Sequence, residues 1–146
     1  MPLAFHPRPG SILLCDYTTG FIVPEMVKRR PVVVVSPRLR QRSGLCSVAP
    51  LSATPPHPVR RYHCELILPP LPKPWRSNRC WVKADMLATV SFQRLDRIRI
   101  AKDRWGQRAY YDHTLSVEEI VRVRACVLHG LGMGDLIRHL RQPKSK

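Results

Sequence analysis

The chain is 146 residues long, about the length of one domain, and its 25 Lys and Arg residues against 10 Asp and Glu give a net charge of +15. Hydrophobic residues make up 44% of the chain, a share that argues against disorder along its whole length. No apolar run approaches the ~20 residues that cross a bilayer, and the first residues lack the features of a secretory signal, so we expect a cytoplasmic protein without a membrane segment.

Short runs of β-branched and apolar residues predict a succession of strands. The clearest is VVVV at residues 32–35, which is apolar throughout, as expected of a strand buried on both faces. Short connections favour antiparallel pairing, because parallel crossovers need a dozen or more residues. The other predicted strands cover residues 11–17, 46–52, 62–68, 81–82, 90–92 and 95–100.

Fifteen prolines mark the loops between these runs. The stretch PPLPKP at residues 69–74 predicts a stiff, polyproline-like arm, because proline fixes φ and supplies no ladder donor. A docking ligand for a proline-binding domain is the alternative interpretation of this stretch.

The pattern changes at Ser116, where SVEE has the sequence of a capping box. Glycines at positions 130, 132 and 134 end the predicted helix, a short second helix is predicted over residues 135–140, and residues 142–146 are expected to fray. The sequence therefore predicts a mainly β (α+β) fold, a small and strongly bent sheet or barrel closed by a C-terminal helix. The helix's predicted apolar stripe, which would pack on the sheet, consists of Ile120, Val123, Val127 and Leu131.

The cysteines predict no zinc site, because they are widely spaced and no Cys-x-x-Cys pair occurs. The adjacent residues His63 and Cys64 supply too few ligands for tetrahedral coordination. We therefore expect no metal and no cofactor, and we expect the thiols to be reduced and to fill the core as small hydrophobes. The five cysteines are Cys15, Cys46, Cys64, Cys80 and Cys126.

Positive charge is concentrated in loops that flank the predicted strands, so one sheet face is expected to present several cationic loops together. Self-repulsion at this net charge opposes compaction unless a partner offsets it, which indicates nucleic acid or an acidic protein as the partner. Aromatic residues near the cations are candidates for stacking on unpaired bases, with core packing as the alternative. The candidate RNA-binding residues are Lys28, Arg29, Arg38, Arg40, Arg42, Arg60, Arg61, Arg76, Arg79 and Trp81.

Four motifs then follow one another along the chain: PGSILLCD at residues 9–16, Glu25 five residues before RPVVVVS at residues 30–36, VAPLS at residues 48–52, and VKAD at residues 82–85. In order and spacing they resemble the motifs of the MazF/PemK toxins of type II toxin–antitoxin systems. The most specific element is the Glu-x4-Arg-Pro pattern followed by a β-branched run and a Ser.

The resemblance implies one toxin domain over residues 1–146, with an SH3-like barrel at about residues 8–131 and a basic tail at residues 141–146. It further implies a homodimer, an acidic antitoxin as partner, and a metal-independent endoribonuclease that cuts single-stranded RNA at short sequence motifs and so inhibits translation and growth. In the family the RNA 2′-hydroxyl attacks the adjacent phosphorus, leaving a 2′,3′-cyclic phosphate and a 5′-hydroxyl.

Five residues match catalytic positions of the family. Arg30 offers a planar fork of donors that suits the charge on a pentacoordinate phosphorane, with an ion pair to Glu25 as the alternative role. Ser52 stands at the position of the family's catalytic Thr and either donates to a phosphate oxygen or caps a turn. Asp85 and Lys83 match an acid/base pair proposed for the PemK branch, and Glu25 is the other candidate base; surface ion pairing is the alternative for these three.

Three positions depart from the family's pattern: Ser52 replaces Thr, Lys83 replaces Arg, and Pro24 stands where a small residue or His is usual. These departures leave room for a second hypothesis, a non-cleaving RNA- or DNA-binding member of the same fold. A third hypothesis is a gyrase-directed toxin of the CcdB type, which shares the barrel. The Glu25, Arg30 and Ser52 positions argue against it, as does the basic tail.

Overall fold

The computed structural model describes residues 3–140 of the chain, so the predicted tail at residues 141–146 lies outside the described residues. Nine strands and one α-helix form the fold, together with three short 3-10 helices at Ala84–Met86, Phe92–Arg94 and Gly134–His139. The strands are β1 (Ile12–Asp16), β2 (Arg29–Val34), β3 (Leu45–Ser52), β4 (His63–Ile67), β5 (Arg79–Lys83), β6 (Ala88–Ser91), β7 (Leu95–Asp96), β8 (Arg99–Ile100) and β9 (Ala109–Tyr110), and the helix α1 is Val117–Gly130.

Seven of these strands form one antiparallel sheet, in which β4, β5, β3, β2, β1 and β7 are neighbours in that order. Strand β3 branches the sheet: one edge pairs with β2, while the other edge pairs with β6 along residues 45–48 and with β5 at Leu51 and Ser52. Strands β8 and β9 form a separate two-stranded ribbon. The predicted mainly β fold with a C-terminal helix is confirmed.

The central strands separate two hydrophobic cores, which explains the unbroken valine run. Val33 packs into the core beneath α1, together with Leu51 and Val82. Val32 and Val34 point to the other side of the sheet, into a second core that includes residues from β1, β3, β6 and β7. All three valines are at most 1% exposed, so this part of β2 is buried on both faces, as the sequence predicts. Val35, the fourth valine of the run, lies after the strand and is half-buried.

Helix α1 begins as predicted, with a complete capping box in which Ser116 and Glu119 each accept the other's backbone N–H. Val123 and Val127 are buried beneath the helix in the first core. The prediction for Leu131 is wrong, because the helix ends at Gly130 and the Leu131 side chain is 58% exposed. The predicted short terminal helix is present as the 3-10 helix Gly134–His139.

Two further predictions need correction. Residues 95–100 form two short strands with different partners, since β7 pairs with β1 and β8 pairs with β9, and the buried Ile98 lies between them. Residues 69–74 do not form a stiff extended arm: Leu71 is buried in the first core, and Trp75 and Arg76 donate their N–H groups to the Pro72 carbonyl in a turn. Burial of the Leu71 side chain thus holds the proline-rich loop against the rest of the domain.

The cysteines lie where the sequence predicts, with four buried and Cys126 half-buried, and all five are free thiols. Within residues 3–140, no group of three or more His, Cys, Asp or Glu side chains is placed to hold a metal ion. No helix in the same range is long and apolar enough to cross a membrane.

Candidate active site

The strand register brings Arg30 and Ser52 to the same end of two neighbouring strands. Val32 of β2 pairs with Pro50 of β3, and Arg30 and Ser52 each lie two residues beyond this last pair of the ladder. Because side chains alternate along a strand, both residues face the side of the sheet away from α1.

The same face continues onto β5. Ser52 pairs directly with Trp81, and Trp81 pairs in turn with Glu65 of the edge strand β4. Lys83 lies two residues further along β5 and points to the same side, opposite His63. We call the cross-strand set Arg30, Ser52, Trp81 and Lys83 the sheet-face site.

The Arg30 guanidinium is not held by an internal ion pair. Its Nε is buried and has no hydrogen-bond partner, and no salt bridge joins it to Glu25 in the part of the chain that the structure describes. Its cross-strand neighbour in β1 is Cys15, and burial raises the pKa of that thiol to about 11, so the neighbour carries no charge at neutral pH. The charge of Arg30 is therefore left for a ligand, and the ion pair with Glu25 considered from the sequence is not formed.

The Ser52 hydroxyl and the Trp81 indole are the next polar groups of the sheet-face site. Ser52 Oγ accepts the Thr54 N–H at 3.2 Å, so it does cap the turn after β3. Its own hydrogen has only a long contact, 3.4 Å, to the Thr54 carbonyl, and can rotate toward an anion instead. The Trp81 indole nitrogen is buried and also has no hydrogen-bond partner among residues 3–140.

The candidate bases Glu25 and Asp85 line one cavity of about 520 Å³, and no residue of the sheet-face site is among its lining residues. Glu25 reaches it from the β1–β2 loop, where one of its oxygens accepts the Ile22 N–H at 2.6 Å. Asp85 reaches it from the 3-10 helix that directly follows Lys83, and its side chain is exposed. Each carboxylate is joined to the sheet-face site by a short segment of chain, since Glu25 precedes Arg30 by five residues and Asp85 follows Lys83 by two.

Arg94 positions the loop that carries Glu25, and the sequence analysis does not identify it. Its guanidinium donates to the carbonyls of Asp16 and Thr19 and stacks over the Phe21 ring at 4.7 Å. These contacts join residues more than 70 positions apart, so no local sequence signal marks them.

His63 is another residue near the site that no sequence motif identifies. It lies opposite Lys83, and its Nδ1 accepts the Arg60 N–H at 2.9 Å. In the neutral ring this contact places the proton on Nε2. Alternation of exposed polar with buried apolar residues in HCELI is the signal that could have placed His63 on this face.

The predicted RNA-binding cations divide between the two ends of the strands. The loop at residues 38–42 follows the far end of β2, which is about 13 Å from Arg30 along the strand. There its arginines line a groove of about 1050 Å³ together with Phe5, His6 and Phe92. At the Arg30 end lie Lys28, Arg29, Arg76 and Arg79, and Arg60 and Arg61 precede His63.

The comparisons agree with this architecture. A model of the PemK-like, MazF-like toxins of type II toxin–antitoxin systems matches residues 8–127. An uncharacterised protein of Escherichia coli (strain K12), YifN, is 29% identical, with the match covering 94% of this chain and 99% of YifN.

Two solved proteins share the fold. MazF from Deinococcus radiodurans has a TM-score of 0.56 at 20% identity over 88% of this chain and 99% of its own, and its MazE–MazF complex gives 0.50 at 20% identity over 88% and 98%. A structure described as an endoribonuclease from a mycobacterial species has a TM-score of 0.54 at 16% identity over 87% and 92%. The family match spans most of the chain, and the chain therefore belongs to the PemK-like, MazF-like toxins of type II toxin–antitoxin systems.

Proposed function

We propose that the protein is an endoribonuclease toxin that cuts single-stranded RNA, without a metal or cofactor, by attack of a 2′-hydroxyl on the adjacent phosphorus. The observation that carries the proposal is the position of Arg30, which has no ion pair among residues 3–140 and lies at the same strand end as Ser52, on the face of the sheet opposite α1. This chemistry needs a fixed positive charge and a hydrogen-bond donor at the phosphate, and the two residues supply one each.

Three residues of the sheet-face site take part in this reaction. The Arg30 guanidinium binds the non-bridging oxygens and stabilises the charge that develops on the phosphorane. The Ser52 hydroxyl donates to one of the same oxygens. Lys83 stabilises the leaving 5′-oxygen and supplies its proton.

We assign the general base to Asp85. Its carboxylate is exposed and has no hydrogen bond among residues 3–140, whereas one Glu25 oxygen is engaged by the Ile22 N–H. A base must be free to take the proton of the 2′-hydroxyl. Asp85→Asn is therefore expected to slow cleavage more than Glu25→Gln, and equal rates in the two variants would refute the assignment.

The family also supports proposals about the protein's assembly. A solved relative is a MazE–MazF complex, and we propose an antitoxin partner here as well, acidic because the charge of this chain is +15. Such a partner would be disordered in part until it binds over the cationic surface and blocks RNA. We further propose a single-domain toxin that forms a homodimer in the cytoplasm.

The test is incubation of the purified protein with a long single-stranded RNA in EDTA, followed by mapping of the fragment ends. The proposal predicts discrete cuts that leave 5′-hydroxyl ends and 2′,3′-cyclic phosphates. Arg30→Ala should abolish them, while the matched control Arg42→Ala, at the far end of β2, should still cut. RNA that stays intact but is retained in a filter-binding assay would refute the nuclease and favour the non-cleaving binder.

A further inference from the structure

Strand β4 is an edge strand, and side chains of α1 cover its free edge. Among residues 3–140, β4 pairs only with β5, so the carbonyls of His63 and Glu65 on its other side have no strand partner in that range. The Arg122 guanidinium donates to the Glu65 carbonyl at 2.6 Å, and the Cys126 thiol donates to the His63 carbonyl at 3.6 Å. The two helix residues are four positions apart and so lie on one face of α1.

This arrangement places two thiols side by side. Cys64 of β4 lies in the first core, and Cys126 packs against that core from the helix, with its sulfur 3.6 Å from the carbonyl oxygen of His63, the residue before Cys64. Both line an open surface cavity of about 440 Å³, whose other lining residues include Arg61, Arg122 and His129. An oxidant from solvent can therefore reach the pair beside two cations.

The environment distinguishes Cys64 from the other buried cysteines. The contact with Cys126 lowers the pKa of Cys64 and raises that of Cys126, and the nearby Arg122 charge lowers both. Burial instead raises the pKa of Cys15, Cys46 and Cys80, which keeps those thiols protonated and unreactive.

We propose that Cys64 and Cys126 form an oxidisable dithiol that hydrogen peroxide converts into a disulfide between β4 and α1. The Cys64 thiolate attacks one peroxide oxygen, the O–O bond breaks, and the departing hydroxide takes up a proton to become water. Cys64 is then a sulfenic acid. The Cys126 sulfur attacks the Cys64 sulfur, the S–S bond forms, and the hydroxyl group leaves with the Cys126 proton as a second water.

The proposal is independent of the protein's activity on RNA. Oxidation would link α1 covalently to β4, whose residue Glu65 is the cross-strand partner of Trp81. In a reducing compartment such a bond is transient, as expected of a sensing thiol pair rather than a structural disulfide.

The experiment is brief treatment of the folded, reduced protein with hydrogen peroxide, followed by thiol counting and mass spectrometry of non-reduced peptides. The thiol count is expected to fall from five to three, with a peptide that joins Cys64 to Cys126. Cys46→Ser is the matched control, because it removes a buried thiol outside the pair and should form the same link. In Cys126→Ser the reaction should stop at a sulfenic acid on Cys64, which dimedone traps.

Three results would overturn the proposal. They are five intact thiols under conditions that oxidise the urea-unfolded chain, cross-links distributed among all the cysteines, and dimedone labelling of Cys126→Ser at Cys15, Cys46 or Cys80 instead of Cys64. The first two are read on the wild-type protein, so the test does not depend on the folding of a variant.

Discussion

Replacing Gly130 with Ala should destabilise the protein, although alanine is the better helix former. Gly130 is the last residue of α1, and a Cβ at this position would lie 3.1 Å from the Asp85 Cα and 3.3 Å from the Asp85 nitrogen. Carbon atoms prefer separations of about 3.5–4.0 Å, and backbone atoms cannot rotate away as a flexible side chain would. The end of α1 and the 3-10 helix Ala84–Met86 must therefore move apart.

The expected size of the effect follows from two opposing terms. Because the contact is with backbone atoms, we take overpacking in the upper part of its usual range, about 2–3 kcal/mol, and the higher helix propensity of alanine returns about 1 kcal/mol, so we expect a net loss of about 1–2 kcal/mol. Urea unfolding of the wild-type protein and Gly130→Ala measures the difference, and Ala125→Gly calibrates the propensity term within the same helix. A variant as stable as the wild type, or more stable, would refute the close contact between α1 and Asp85.

Three further predictions follow from the structure. Ser52→Ala should slow RNA cleavage by about 100-fold or more, because one hydrogen-bond donor to the transition state is lost. Ser52→Thr keeps the hydroxyl and should retain the rate. Equal rates for the two variants in single-turnover assays would contradict this role of Ser52. Glu65→Gln removes the exposed 3.0 Å ion pair with Arg79, so the free energy of unfolding in urea should change by less than about 1 kcal/mol. RNA should bind more tightly in filter assays. A large loss of stability would show that the pair is structural. Burial raises the pKa of Tyr111 to about 12, above an unfolded value near 10, so the neutral hydroxyl contributes stability that is complete below about pH 10 and is lost as the pH rises toward 12. Tyr111→Phe should be about 1 kcal/mol less stable at pH 7, because the Pro69 carbonyl loses its 2.6 Å hydrogen-bond donor. Between pH 10 and 12 the stability of the variant should decline less than that of the wild type. Parallel curves of stability against pH would contradict the role of the buried hydroxyl.

Sequence patterns predicted the elements that are determined by residues close together in the chain. The valine run and the SVEE capping box depend on residues within a few positions of one another, and the structure places both where the sequence predicts. Residues 95–100 alternate like one strand, but the chain changes partner at Ile98, whose carbonyl accepts the Tyr111 N–H. Only the tertiary fold determines such a change of partner.

The site was predictable in its residue types more than in its geometry. The motifs identified Arg30 and Ser52, but their juxtaposition depends on the register between β2 and β3, which no single segment encodes. The sequence likewise shows which loops are cationic but not at which end of a strand each loop lies. The loop at residues 38–42 therefore falls far from Arg30, while Arg94, outside every motif, supports the loop that carries Glu25.

The most direct test of the proposed mechanism is the single-turnover rate of RNA cleavage in EDTA, measured at saturating protein for the wild type and Arg30→Ala on an oligonucleotide that spans a mapped cut. A residue that stabilises the phosphorane acts on the transition state more than on the bound RNA. We predict a rate loss of about 100–1000-fold with RNA affinity changed by only a few-fold. A variant that cuts at the wild-type rate once saturated with RNA would contradict the assignment of Arg30 to the chemical step.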